Sequence, residues 1–111
     1  MKGDNGVLKG LLQSVKVDPN ITDAADCTPL CLAILEGKFA AAQILIDSQR
    51  VDMSLGGGIY GSPLHLAVTK FELWLIKALI KRGADVNKID WYGKTALHCV
   101  MEIFNKSPKR H

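Results

Sequence analysis

At 111 residues the chain has room for one domain and too little for two independent cores. Its 48% apolar and 23% charged residues are those of an ordinary globular protein. The formal charge of +3 is mild and scattered, which argues against a dedicated nucleic-acid binder, since such proteins gather basic residues on one face.

In chain order, a first helix is expected over Asn5–Val15, followed by a turn at "KVDPN". The next is expected over Thr28–Glu36, where Thr28 can act as N-cap and Pro29 suits a first turn that has no use for its missing N–H. A helix over Phe39–Asp47 leads through "LIDSQRVD" to the glycine-rich "LGGGIYG". The latter lacks the Lys-Ser/Thr ending of a phosphate-binding loop, so its glycines are expected to serve turn geometry. Ser62 and Pro63 repeat the start signal for a helix over Ser62–Lys70, with Leu64, Ala67 and Val68 on one face. A helix over Glu72–Arg82 follows, with Leu73, Ile76 and Ile80 as its expected apolar stripe, widened by Leu79, and Gly83 as its stop. "VNKIDWYGKT" reads as an extended, hairpin-like loop turning at Asp90 to Gly93, and a last helix is expected over Thr95–Asn105.

These elements recur. "CTPLCLAILEGKFAAAQILI" superimposes on "GSPLHLAVTKFELWLIKALI", and a third copy begins at "KTALHCVMEIF". Thr28, Ser62 and Thr95 mark one register and Asp18, Asp52 and Asp85 another, and both advance by 34 and then 33 residues. A period of 33 with the pattern T-P-L-H-x-A, matched here by "SPLHLAV" and then "LIKRGADVN", resembles the ankyrin-repeat family. The similarity runs from about Gly3 to Phe104 and is looser in the first copy, where Cys31 takes the histidine position. It implies an all-α solenoid of stacked helix–turn–helix units with hairpin-like loops. The registers divide the chain into a partial repeat over 1–23, repeats over 24–57 and 58–90, and a partial repeat over 91–111. Half repeats at both ends suggest a piece of a longer array, or a very short array with improvised caps, and with raw apolar ends the chain is expected to be marginal as a monomer or to self-associate.

His65 could be a base, a metal ligand or a structural fixture. Cys31, His65, His98 and Cys99 would make four zinc donors, but a tetrahedral site needs all four within about 2.0–2.3 Å of one point. Repeats stacked roughly 10 Å apart would set donors sharing a register in a row. Neither nucleophile nor acid–base couple is supplied by the local spacing, so no enzyme, metal or cofactor is expected. The family resemblance implies that His65 and His98 join the backbone of adjacent loops. The three cysteines form no CxxC pair and cannot all pair, which fits thiols in a reducing cytoplasmic or nuclear setting. No run approaches the ~20 apolar residues of a membrane span, and "MKGDNGVLKG" is too polar for a secretory signal.

The function the resemblance implies is binding of another protein, either in its own right or as a regulatory or targeting segment of a larger enzyme or channel. Partners in the family lie across hairpin tips and the concave side of the inner helices. Carried onto this chain, the tips are Ala24, Ala25, Ile59, Tyr60, Trp91 and Tyr92, and the inner-helix positions are Leu35, Glu36, Thr69, Lys70, Glu102 and Ile103. The tip aromatics are either contact residues or stack on the neighbouring hairpin. Trp74 lies off the expected stripe and is either a hot spot or packs against a loop or a further repeat. Phe71 and Phe104 stand where the family has a glycine of positive φ. Asn87 matches the context in which ankyrin-repeat asparagines are hydroxylated in animals, or holds its hairpin by side-chain hydrogen bonds. "SPKR" at Ser107 matches a site for proline-directed kinases.

Overall fold

A computed structural model describes residues 5–106 of the chain. Among them are six α-helices and one 3-10 turn, without strands: α1 Asn5–Gln13, α2 Pro29–Leu35, α3 Phe39–Asp47, a 3-10 turn Gly58–Tyr60, α4 Pro63–Thr69, α5 Leu73–Lys81 and α6 Ala96–Lys106. The inner helices α2, α4 and α6 stack in that order, α3 and α5 pack on α2 and α4, and α1 lies on α3. The described body is elongated, 52 × 28 × 26 Å.

Each inner helix begins with the same device. The hydroxyl of Thr28 accepts from the Cys31 N–H at 3.3 Å, that of Ser62 from the His65 N–H at 3.4 Å and that of Thr95 from the His98 N–H at 3.3 Å. Helix ends are equally repetitive. Gly37, Phe71 and Gly83 adopt φ of +73°, +56° and +94°. The N–H groups that follow them, of Lys38, Glu72 and Ala84, donate back to the carbonyls of Ala33, Ala67 and Leu79 at 2.8, 3.2 and 3.0 Å. Phe71 is therefore in the left-handed turn that the repeat register demands, despite its side chain. Phe104 is not in such a turn, because α6 continues through it to Lys106.

The core runs along the stack, with Leu30, Ile34, Ile46, Leu66, Leu75 and Leu79 fully buried. On α5 the buried pair is Leu75 and Leu79, whereas Leu73 and Ile80 are exposed. The expected stripe was rotated because Leu73 and Ile80 face the side where a further outer helix would stand. α1 ends two residues earlier than expected, at Gln13, where Arg50 intervenes. The guanidinium of Arg50 donates to the carbonyls of Leu12 and Ser14 at 2.6 and 2.7 Å and also to that of Val17, so a side chain from the next repeat ties down the last turn of α1 and the segment just after it.

The loops obey the aspartate register. Asp18, Asp52 and Asp85 each accept from the N–H two residues on, at 2.9, 2.8 and 2.9 Å. The tip turns use a second set. Asp23 accepts from the N–H groups of Ala25 and Cys27, and Asp90 from those of Tyr92 and Lys94. The middle tip has Gly57 at that position and forms the 3-10 turn Gly58–Tyr60 instead of a hairpin-like loop. Gly58 has to be glycine: a Cβ there would stand 2.5 Å from the Ala25 carbonyl oxygen.

Replacing Phe71 with glycine is expected to stabilise the protein by about 0.5–1 kcal/mol, since relief of left-handed strain exceeds the added freedom of the unfolded chain. Urea unfolding at unchanged m-value checks this. Arg50→Ala is expected to raise amide exchange within α1 roughly fivefold, about 1 kcal/mol of local stability. Exchange in α4 serves as the internal control.

Candidate functional site

His65 is buried and spans two repeats. Its Nε2 lies 2.8 Å from the Lys94 carbonyl, which can only accept, so the proton sits on Nε2. Nδ1 then accepts from the Ser62 hydroxyl at 2.7 Å. Both nitrogens are engaged, as expected of a fixture between adjacent loops. In the first repeat the Cys31 thiol takes over the cross-repeat bond, donating to the Leu55 carbonyl at 3.4 Å. Burial pushes that thiol up to about 11, so it stays protonated and able to donate.

Around His65 the tips and inner helices enclose a notch of about 240 Å³, lined by Ile59, Tyr60, His65, Thr69, Asp90, Tyr92 and Cys99. Ligating atoms of His65, Asp90 and Cys99 lie within 4.8 Å of one another. This trio differs from the set the sequence offered as zinc donors. Asp90 enters from the loop, and neither Cys31 nor His98 belongs to it. Its members are already committed. The Cys99 thiol is 3.8 Å from Oδ2 of Asp90, whose Oδ1 receives two backbone N–H groups. Burial pushes the Asp90 carboxyl up, but the N–H groups of Lys94 and Tyr92 outweigh it and hold the carboxyl below its ordinary range. Burial, reinforced by the Asp90 charge, pushes the Cys99 thiol up, which makes it a poor nucleophile. The trio is a polar floor that shapes the notch.

The expected contact residues are not placed alike. Ala24 and Ala25 are exposed on the first tip, Ile59 and Tyr60 on the second, and Trp91 and Tyr92 on the third. Trp91 is 75% and Tyr92 73% exposed, as open as the turn residue Phe71 at 73%. The Trp91 N–H donates to the Ile59 carbonyl at 3.2 Å, so adjacent tips are joined by backbone while the rings stay outside. Of the inner-helix positions, Glu36, Thr69 and Lys70 are exposed and Glu102 is half-buried in an ion pair with Lys94. Leu35 and Ile103 are partly buried and pack against the core. Trp74 stands on the outer helix α5, apart from this surface. Its ring meets Phe39 edge-on at 6.1 Å and its N–H donates to Glu72 at 3.0 Å, so it packs on the preceding outer helix while 39% exposed.

Asn87 is exposed, and only its backbone N–H joins the turn, donating to the Asp85 carboxylate. The hairpin-holding role expected of its side chain belongs to Asp85. Ser107 lies outside the described residues. His65 and Cys99 were both in the donor set the sequence offered, but Asp90 was missed because it is one letter in a loop whose meeting with them is tertiary. The one available signal was that Asp90 repeats Asp23 in the tip register.

Comparison with known proteins agrees with this architecture. A family profile described as ankyrin repeats in three copies matches residues 1–90. The chain is 34% identical over 97 residues to neurogenic locus notch homolog protein 1 of Xenopus tropicalis, covering 87% of this chain and 4% of that protein. It is 33% identical over 102 residues to alpha-latrotoxin-Lg1a of Latrodectus geometricus, covering 85% of the chain and 8% of the toxin. It is 33% identical over 84 residues to the potassium channel AKT3 of Oryza sativa subsp. japonica, covering 74% of the chain and 9% of the channel. The chain thus spans less than a tenth of the length of these relatives. With capped inner helices stacked in register, left-handed helix ends and the profile match over most of its length, this chain belongs to the ankyrin-repeat family.

Proposed function

We propose that the chain binds a partner protein, without catalysis, through a rim made of the three tips and the open side of the inner helices. The observation that carries this reading is the pair Trp91 and Tyr92, held out on a stiffened turn beside the notch. Large aromatic side chains left in water gain nothing from folding, and their burial against a partner is worth more than that of any other residue type on this surface. The Asp90 turn fixes the backbone beneath them, which lowers the entropy lost on binding. Ala24, Ala25, Ile59 and Tyr60 extend the rim along the tips, and Leu35, Glu36, Thr69, Lys70 and Glu102 form its inner-helix side, whereas Ile103 faces the groove between α5 and α6. The Lys94–Glu102 pair removes net charge from the centre of this surface, so the fit is to an apolar or aromatic contact patch. Family membership adds a general precedent, as ankyrin repeats bind other proteins. No helix among the described residues is long and apolar enough to cross a membrane.

A second reading is favoured by the relatives, two of which are a channel and a notch homolog far longer than this chain. On it, the same rim serves as a regulatory or targeting contact within a larger protein whose chemistry lies outside these residues. The extent of the native open reading frame separates the two readings.

An affinity pull-down comparing wild type with Trp91→Ala/Tyr92→Ala tests the rim. A hot-spot pair contributes about 2 kcal/mol or more, so recovery of the specific partner should fall roughly thirtyfold at unchanged melting temperature. Equal recovery of the same proteins would assign recognition to another surface.

A further inference from the structure

The two ends of the described stack are complementary in register. We propose that a second copy of this chain docks its α1 in the groove beside α5 and α6, so that copies add head to tail. Leu30 and Leu64 are 0% and 4% exposed, yet Leu97, at the same repeat position of α6, is 69% exposed. Ile34 and Val68 are 0% and 5% exposed, and their equivalent Met101 is 51% exposed. What covers the first members of each set is an outer helix, and among the described residues α6 has none. A groove of about 210 Å³ between α5 and α6, with Ile76, Val100 and Ile103 in its walls, marks the place. The opposite defect lies at α1, an outer helix without an inner one among the described residues. Its Leu11 is 52% exposed where the equivalent Leu45 of α3 is 2% exposed.

Hydrogen bonds that join one repeat to the next leave matching halves at the two ends. The His65 Nε2 donates to the Lys94 carbonyl, which also receives the Asp90 N–H. His98 is held by Thr95 as His65 is by Ser62, but its Nε2 has no partner among the described residues. The register equivalent of Lys94 is Cys27, whose carbonyl receives the Asp23 N–H at 3.0 Å and has a second lone pair open. The Asp52 N–H donates to the Asn20 side chain at 2.7 Å, and the Asp85 N–H to the Ser54 hydroxyl at 2.7 Å. One period on, the acceptor is the Asn87 side chain and the donor is the Asp18 N–H, both without a partner among the described residues. In a head-to-tail stack His98 of one copy meets Cys27 of the next and Asn87 meets Asp18, while α1 covers Leu97 and Met101. A contact between two different surfaces does not close on itself, so assembly continues with concentration.

Sedimentation velocity over an about hundredfold concentration range provides the test, with Leu11→Glu and Leu97→Glu/Met101→Glu as variants. All three positions are exposed in the single chain, and circular dichroism verifies that the variants fold. Wild type should show a mass that rises with concentration, and each variant alone should be monomeric. Mixed together, the two variants should form a one-to-one dimer, since each retains the end the other has lost. A wild-type monomer throughout, variants that still associate alone, or a mixture that stays monomeric would each overturn the proposal.

Discussion

Cover by a neighbour is the constraint on which this structure depends. A short inner helix of seven residues, such as α2 or α4, cannot bury its own apolar face, and a helix of that length is not stable in water by itself. Each becomes stable by lying between others: Leu30 and Ile34 under α3 and α4, Leu64 and Val68 under α5 and α6. Burying a leucine or valine contributes about 1.5–3 kcal/mol relative to leaving it in water. That gain is realised in the middle of the stack and forfeited at its edges, where Leu11, Leu97 and Met101 are open. Stability in such a body is a sum over neighbouring pairs, not a property of one closed core.

The same constraint explains how the tips are built. Repeats that stack closely need loops of fixed height, and this chain uses two chemistries to set it. Asp23 and Asp90 brace their turns by accepting two backbone N–H groups each. The middle tip has lost the aspartate and gained glycines, so its backbone can approach the first tip, and the Gly58 N–H reaches the Asp26 carbonyl at 3.1 Å. The acidic side chains carry the structural load in the first and third tips, and the backbone carries it in the middle one. The residues at the crests, Ala24, Ile59 and Tyr60, Trp91 and Tyr92, are left free to differ.

What the sequence made legible is what depends on local chemistry. Thr28, Ser62 and Thr95 announced the inner helices because a hydroxyl cap followed by an apolar run has few other uses. Gly83 announced a helix end because left-handed backbone favours glycine, and the family resemblance marked Phe71 as an anomaly. The aspartate spacing identified the loops. What was not legible is what depends on which neighbour is present. The stripe assigned to Leu73 and Ile80 is apolar in the sequence but exposed in the structure, since periodicity reports which residues could be covered and not whether anything covers them. Arg50 gives no local sign that it will donate to carbonyls at and after the α1 end, because its partners lie 33 to 38 residues away. The His65–Asp90–Cys99 floor joins two repeats and had no sequence pattern of its own.

That floor bears on the choice between an enclosed site and an open surface. Among the described residues no buried side-chain nitrogen or oxygen lacks a partner. His65 spends both nitrogens on the stack, Asp90 spends its carboxylate on its own turn and on Cys99, and the cysteines are held as thiols by burial. Among the described residues these buried polar groups are engaged within a turn or between one repeat and the next. The capacity left over lies in side chains that stacking does not use, which are the tip aromatics and the open ends. On the proposed readings, both therefore act by contact, one across the rim of the stack and the other along its axis.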